Sequence, residues 1–269
     1  MRVSARACAP LIAQLEGERA PWLEGYRVQI VDGTCLEASE HRLKALREAP
    51  GRALPGKSLV VYEPAAGLVT DVFPCEDGPA QERSRLGAVR KTVAAHDLWI
   101  ADRHCCPRML LCEMDTRGGF FVIRQQQGLP FEILRPLRSE ERPPTGPLAQ
   151  QRVCVGDEHG AQHVVRRLRL TLDHPTRHGA TLLPILTNLP RQISAQRVAQ
   201  LYRNRWTLET AFQHLEAYFH SEINTFGYPK AALFGFCLAL VAANVLAVVC
   251  AALRRVPGED TVEHAGSLY

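Results

Sequence analysis

Lysine, paired cysteines and low-complexity sequence are all scarce or missing in this chain of 269 residues. Only four of its 32 basic residues are Lys, and the other 28 are Arg. The planar guanidinium of Arg suits bidentate binding of phosphate or carboxylate, but codon use in a GC-rich genome produces the same excess of Arg. The formal net charge of +4 does not identify a partner. With 46% hydrophobic and 22% charged residues, wholesale disorder is excluded.

Cysteine spacing excludes several classes of protein. Nine Cys, an odd number with no Cys-x2-Cys pair, do not fit a secreted disulfide scaffold, so we expect free thiols in a reducing compartment. The run His104-Cys105-Cys106 followed by Cys112 lacks the paired spacing of a structural zinc site. The first 25 residues contain no sustained apolar run, so we expect no signal peptide.

The first half of the chain alternates between strand and helix patterns. β-branched and apolar runs predict the strands, and short connections between the first three predict an antiparallel meander. The predicted elements are strands over 26–38, 57–63 and 67–73, a helix over 80–95, a strand over 98–101, a helix over 108–115 and a strand over 119–125.

Proline changes the character of the second half. Six prolines between residues 132 and 190 argue against long helices, and alternating runs there predict strands. Ser194 is then the predicted N-cap of a helix reaching about Tyr218, and a second helix is predicted over 229–255. The whole order predicts an α+β fold, a mixed sheet with flanking helices.

The segment 231–253 supports two interpretations. It is apolar throughout except for Asn244, is long enough to cross a bilayer and is followed by Arg254 and Arg255. Eight alanines and one glycine make it only moderately hydrophobic, so a core helix explains it equally well. A membrane-anchored protein is therefore one alternative.

The helix after Ser194 carries charge where apolar residues are expected. Arg205 falls within its apolar stripe, and Tyr202, Glu209 and Glu216 follow along the margin at helical spacing. An ordinary i,i+4 salt bridge between Arg205 and Glu209 explains part of this pattern. The helix by itself does not establish a site.

Two aspartates end predicted strands, Asp32 in VQIVD and Asp102 in LWIAD. Together with Glu209 they form a set of carboxylates that can converge only with cations between them. Hard oxygen ligands without His or Cys predict Mg²⁺ or Mn²⁺, and two such ions promote in-line phosphodiester displacement. Singly, Asp32-Gly33 also fits a hairpin turn, and Asp102 also fits a helix cap.

These residues resemble a known family. Tyr202-x2-Arg205-x3-Glu209 resembles the YREK signature of DDE transposases of the insertion-sequence-four family. VDGT at 31–34 and ADRH at 101–104 resemble the strands carrying that family's first and second aspartates. The β-rich stretch sits where the family carries a β-strand insertion in its RNase H-like core. The resemblance covers about residues 26–255.

The resemblance implies DNA transposition by metal-dependent phosphodiester hydrolysis and strand transfer. It makes Asp32, Asp102 and Glu209 the catalytic, metal-binding triad for Mg²⁺ or Mn²⁺. Tyr202 and Arg205 would contact phosphates of the transposon end. The further residues expected to bind DNA are Arg203, Lys230, Arg166, Arg167 and Arg169. The expected partners are double-stranded DNA and a second copy in a synaptic homodimer, with no membrane, in a cytoplasmic, nucleoid-associated protein.

Two departures from the family pattern leave a second alternative, a catalytically silent remnant that still binds DNA. Glu216 stands where the signature has Lys, and the 31 residues before Asp32 are too few for the family's N-terminal DNA-recognition domain. The predicted organisation is a remnant segment over 1–25, the first part of an RNase H-like core over 26–130, a β-rich insertion over 131–193, the helical second part over 194–256 and a tail over 257–269.

Overall fold

The structure is a computed structural model that describes residues 1–16, 21–35, 57–74, 85–140, 146–176, 179–206, 208, 210 and 229–254. The chain divides into two compact units. The first unit consists of Met1–Glu24, Asp32–Arg85 and Thr207–Tyr269, and the second of Gly25–Val31 and Leu86–Trp206.

Helices and strands alternate along the described residues in the order that the sequence predicts. In chain order they are α1 (Arg2–Glu16), β1 (Arg27–Cys35), β2 (Lys57–Glu63), β3 (Leu68–Pro74), α2 (Leu86–Arg90), β4 (Asp97–Ala101), a 3₁₀ turn (Arg103–Cys105), α3 (Arg108–Thr116), β5 (Phe120–Arg124), β6 (Glu132–Ile133), β7 (Arg138–Ser139), β8 (Leu148–Gly156), β9 (Gln162–Thr171), β10 (Leu182–Thr187), α4 (Ala195–Arg203) and α5 (Pro229–Arg254).

The first unit packs two helices against a β-hairpin. β2 and β3 pair antiparallel, as predicted, with Val60 opposite Val72. α1 and α5 pack against each other and against β3. Apolar side chains from all three elements form the core, because α1 contributes Cys8 and Ile12 to a cluster with Leu68 and Ala251. The N-terminal helix is thus part of this core.

A buried asparagine ties α5 to the hairpin. The side-chain amide of Asn244 donates to the carbonyl of Val69, and its Oδ1 accepts from the N–H of the same residue, both at 2.9 Å. It also donates to the hydroxyl of Ser4 in α1 at 3.2 Å. Because Asn244 is 1% exposed and fully engaged, its polar group fits an interior position in a packed core.

α5 is long and apolar enough to cross a membrane, with a mean hydropathy of 2.6 over its most apolar window. Its buried residues, including Phe236, Leu240 and Asn244, face the hairpin and α1, whereas Phe234 and Leu238 are exposed. A core helix accounts for the buried face and for the polar anchor. Length and composition alone do not make this a membrane protein.

The second unit is built on a mixed sheet. Its strand order is β1-β4-β5-β10-β9-β8-β6, and β7 also pairs with β8. β1, β4 and β5 run parallel, whereas β10, β9 and β8 continue the sheet antiparallel from β5. The predicted strands and the predicted β-rich stretch are confirmed. This mixed sheet with packed helices is an α+β fold consistent with an RNase H-like transposase core.

Two predicted helices differ from the expectation. The helix predicted over 80–95 is α2, which ends at Arg90, where Thr92 turns back and bonds the Val89 carbonyl through both its N–H and its hydroxyl. The helix predicted to run from Ser194 to about Tyr218 is interrupted by a turn at Asn204 and Arg205, after which Trp206, Leu208 and Thr210 are helical again and residues 211–218 lie outside the described residues. Ser194 is its N-cap, as predicted, since its hydroxyl accepts from the N–H of Arg197 at 3.1 Å.

Replacing Asn244 with Leu should destabilise the first unit. The substitution leaves the N–H and carbonyl of Val69 buried without partners, so the free energy of unfolding should fall by about 2–4 kcal/mol. Urea unfolding followed by circular dichroism measures this change. Val245→Ala, at the exposed neighbouring position, is the matched control and should change little. A stabilised Asn244→Leu variant that partitions into membranes would instead support a spanning helix.

Candidate active site

Asp102 stands at the end of the most buried strand of the second unit. All five residues of β4 are buried, so packing in the core holds the carboxyl end of this strand in place. Asp102 has an extended backbone (φ −81°, ψ 176°) and precedes the 3₁₀ turn without capping it through its side chain. Asp102 is thus the N-cap of the 3₁₀ turn by position, but its side chain makes no capping hydrogen bond. Its side chain is 20% exposed, enough to reach a bound partner.

Tyr202 from α4 bonds this carboxylate. Its hydroxyl donates to Oδ1 of Asp102 at 2.9 Å, although the two residues are 100 positions apart in the chain. Burial, followed by the negative charge of Asp102, raises the pKa of Tyr202. The phenol therefore stays protonated and remains a donor at neutral pH.

Two guanidinium groups flank the same carboxylate. Arg205 is only 6% exposed, and its guanidinium carbon lies 6.0 Å from the centre of the Tyr202 ring. Arg124, the last residue of β5, places Nη1 at 3.7 Å from Oδ1 of Asp102. Both cations favour the ionised form of the Asp102 carboxyl group.

These neighbours set the charge state of Asp102. Burial raises the pKa of Asp102, but other groups outweigh it: the backbone N–H of Arg103, the Tyr202 hydroxyl, and the charges of Arg205 and Arg124. The net effect holds the pKa of Asp102 below its usual range. The carboxylate is therefore ionised at neutral pH and supplies a hard oxygen ligand.

The end of α4 explains how Arg205 comes to this place. Asn204 has a ψ of −10° and directs its N–H to Gln200 and Tyr202, and Arg205 donates its N–H to the Tyr202 carbonyl at 3.1 Å. Hydrogen bonds from i+3 to i tighten the chain relative to an α-helix. The tight turn keeps Arg205 beside Tyr202 and interrupts the predicted helix at Asn204 and Arg205.

β1 carries the first predicted aspartate. The strand continues through Asp32 and Gly33 to Cys35, so the hairpin-turn interpretation of Asp32-Gly33 is wrong. Oδ1 of Asp32 accepts from the N–H of Gly33 at 2.9 Å. Asp32 belongs to the first unit and Asp102 to the second. Glu209, with Glu216, lies outside the described residues.

β1 and β4 run parallel within the second unit, with Val31 opposite Ala101. These two residues immediately precede Asp32 and Asp102 in the sequence. Asp102 follows the end of β4, as predicted, but the expectation that Asp32 ends its strand is wrong, because β1 continues to Cys35.

The arginines of β9 occupy different environments. Arg167 is half-buried, donates to Oε1 of Gln125 at 2.6 Å and lies over the Phe131 ring at 5.1 Å. Arg169 is half-buried two positions along the strand, and Arg203 at the end of α4 is exposed. The side chain of Lys230 lies outside the described residues.

Arg166 is the exception among these arginines. It is 7% exposed, and Nη1 donates to the carbonyls of Pro190 and Ile193 at 3.1 and 2.8 Å. Nε and Nη2 both donate to Oε1 of Gln150, at 3.1 and 2.9 Å. Internal acceptors thus occupy its donors, which favours a structural role over the predicted contact with DNA.

Comparison with known families decides the identity of the chain. A family model described as the transposase DDE domain matches residues 23–245. The chain belongs to this family of DDE transposases. A search of the curated proteins found no match. Membership in the transposase family implies a DNA substrate and the use of divalent metal ions, which suits the ionised oxygen ligand at Asp102.

Arg124 is the residue of this DDE transposase that sequence reasoning missed. Arg124 is the last residue of β5, and its position at the end of a strand was the available signal. The run GFFVIRQ nevertheless reads as an ordinary core strand, because nothing in it shows which neighbour the last side chain meets. The pairing of β4 with β5 supplies that neighbour.

Two further side chains of metal-binding type have structural surroundings in this DDE transposase. His163 lies on β9, and its Nδ1 is 2.8 Å from Oδ2 of Asp115. Cys112 is a buried free thiol, and burial raises its pKa to about 11. Among the residues that the structure describes, no group of three His, Cys, Asp or Glu is placed to hold a metal.

Tyr202→Phe should weaken the fold in a pH-dependent manner. The variant loses a hydrogen bond to an ionised group, which is worth about 1.5–3 kcal/mol at neutral pH. Because the folded-state pKa of Asp102 lies below its unfolded value, this stabilisation is present at neutral pH and is lost as the pH falls through the folded-state pKa.

Urea unfolding at neutral pH and in stepwise acid measures this difference. The stabilities of wild type and variant should converge in acid. Tyr26→Phe, which keeps its ring against Phe120, is the matched control and should show no such convergence. A loss of equal size at every pH would mean that the hydroxyl acts independently of the Asp102 charge.

Proposed function

We propose that this DDE transposase is of the insertion-sequence-four type and cuts and joins DNA strands during transposition. In this proposal Asp32, Asp102 and Glu209 hold Mg²⁺ or Mn²⁺, and Tyr202-x2-Arg205-x3-Glu209 serves as its signature. The proposed setting is the nucleoid, with transposon-end and target DNA as substrates and a homodimer as the active assembly.

One observation carries the proposal: an ionised Asp102, bonded by the signature tyrosine, at the end of a buried parallel strand. A structural ion pair does not need Tyr202 and two guanidinium groups around one partly exposed carboxylate. Asp32 is proposed as the second ligand because VDGT at 31–34 resembles the strand that carries the family's first aspartate.

The donor set fits a hard divalent cation. Tyr202 and Arg124 both approach Oδ1 of Asp102, and the carboxylate carries a second oxygen. Bound divalent ions would activate the attacking hydroxyl and stabilise the leaving oxygen of an in-line displacement. The protein's own contribution is to keep Asp102 deprotonated and fixed in one orientation.

The positive charges around Asp102 suit the phosphate backbone. Arg203 at the end of α4 is exposed and Arg124 is half-buried, and Arg205, although 6% exposed, is kept as a proposed phosphate contact from the signature. In β9, Arg167 and Arg169 are the proposed contacts in the β-rich insertion, together with Lys230 of α5. We omit Arg166 because internal acceptors take up its donors.

Cleavage of a labelled duplex bearing the element's terminal repeat, with Mg²⁺ present, tests the proposed chemistry. Asp102→Asn keeps an acceptor for Tyr202 but loses the anion, so the cleavage rate should fall by more than about a hundredfold, since even the loss of outer-sphere partners costs about 10–100-fold. DNA affinity should persist, because a negative charge has been removed near the phosphates.

Glu113→Gln is the matched control, since Glu113 is an acid in surface ion pairs with Arg90 and Arg117. Its cleavage rate should equal that of the wild type. A wild-type chain that binds DNA but does not cleave it would support the silent-remnant alternative. Cleavage by Asp102→Asn at the wild-type rate would contradict the proposal.

The salt dependence of binding tests the phosphate contacts. Arg203→Ala should weaken binding equally for all sequences and lower the slope of log affinity against log salt by about one. Its melting temperature should not change, because the side chain is exposed. Arg117→Ala on α3 is the control and should leave the slope intact; an unchanged slope for Arg203→Ala would exclude a phosphate contact.

A further inference from the structure

The β-rich insertion contributes a buried cation that the proposed chemistry does not use. Arg166 of β9 is 7% exposed, and its guanidinium makes four hydrogen bonds, all to uncharged acceptors of the protein. Taking an unpaired charge out of water is costly unless hydrogen bonds and nearby charge compensate for it. A solvent-facing arginine would avoid this cost, so the burial itself needs an explanation.

Charge compensation reaches Arg166 through a glutamine. Gln150 accepts from Arg166 with its amide oxygen and donates with its amide nitrogen to Oε1 of Glu140 at 2.6 Å. Burial lowers the pKa of Arg166, Glu140 opposes that shift and Arg191 adds to it. Through Gln150, the negative charge of Glu140 partly offsets the positive charge of Arg166. Nη1 of Arg166 donates to backbone carbonyls.

The two carbonyls bound by Nη1 lie at the entrance to α4. Pro190 and Ile193 form a turn closed by a bond from the Ile193 N–H to the Pro190 carbonyl at 3.1 Å. Ser194, the next residue, caps α4. Arg166 thus holds the chain at Ile193, one residue before the cap of α4.

The other end of α4 carries the groups that surround Asp102. Tyr202 lies eight residues after the cap, about 12 Å along a helix rising 1.5 Å per residue. A helix this short behaves as a rigid rod, so a shift at its entrance moves the Tyr202 hydroxyl relative to Asp102.

We propose that Arg166 is a positioning residue that sets α4, and through it Tyr202 and Arg205, against Asp102. The consequence for activity rests on the proposed function, whereas the consequence for α4 does not. Loss of Arg166 should misplace the signature residues without removing a phosphate contact. Displacements of about 1 Å far from the chemistry are known to lower rates by about a hundredfold.

Hydrogen–deuterium exchange of the intact chain tests the proposal without reference to activity. In Arg166→Met, amides of α4 should exchange at least about tenfold faster, while those of α3 stay as in the wild type. Gln150→Met, which removes the acceptor of Nε and Nη2 but keeps the cation, should change α4 in the same direction. Arg167→Met is the matched control, since its donor serves Gln125 and not the entrance to α4.

DNA assays separate positioning from phosphate contact. Arg166→Met should cleave about 10–100-fold more slowly, with a Kd within about twofold of the wild type and an unchanged salt slope. Arg166→Lys should restore part of the rate, because an ammonium still reaches backbone carbonyls but cannot make the fork to Gln150.

Several outcomes would overturn the proposal. A lower salt slope with unchanged exchange in α4 would make Arg166 a DNA contact, and faster exchange spread equally over α3 and α4 would make it a general stabiliser. If Arg166→Met does not fold, Gln150→Met and Arg166→Lys carry the same expectations. If the wild type does not cleave DNA, the proposed function fails, and exchange in α4 still decides whether Arg166 holds the helix.

Discussion

Asp102 keeps an ionised carboxylate at the end of a fully buried strand because Tyr202, Arg205 and Arg124 surround it. This compensation joins three elements that are far apart in the chain: β4 supplies the anion, β5 one cation, and α4 with its closing turn the hydroxyl and the other cation. Without the anion, two guanidinium groups would repel each other next to the apolar core. Without the cations, burial would favour a neutral carboxyl that binds metal poorly.

α4 is held at both ends by hydrogen bonds from other elements of the second unit. Arg166 bonds the chain just before its cap, and Asp102 accepts from Tyr202 near its end. Both contacts use polar groups with strict geometry and add to the apolar packing of Val198 and Leu201. Under the proposed function this arrangement fixes Tyr202 and Arg205, because hydrogen bonds restrict distance and angle more than hydrophobic contacts do.

Much of the fold could be predicted from the sequence because its signals are local. Strands such as β4 and β5 are short apolar runs, and Ser194 marks a helix start by its own hydroxyl. The turn that interrupts the helix after Arg203 was missed, since the residue pattern continues through it while the N–H of Arg205 bonds the Tyr202 carbonyl. Arg124 was missed, and Arg166 was assigned to DNA, for the same physical reason. The sequence of one strand does not reveal which strand will lie beside it. Glu209 and its convergence with the aspartates stay a prediction.

β5 stands where the sheet changes direction, parallel to β4 on one side and antiparallel to β10 on the other. β10, the last strand of the β-rich stretch, therefore occupies the edge of the strand that carries Arg124. A trimmed version without residues 131–193 would leave a row of open N–H and C=O groups along β5. Such an edge pairs with strands from other chains, so removal of residues 131–193 should make the protein self-associate.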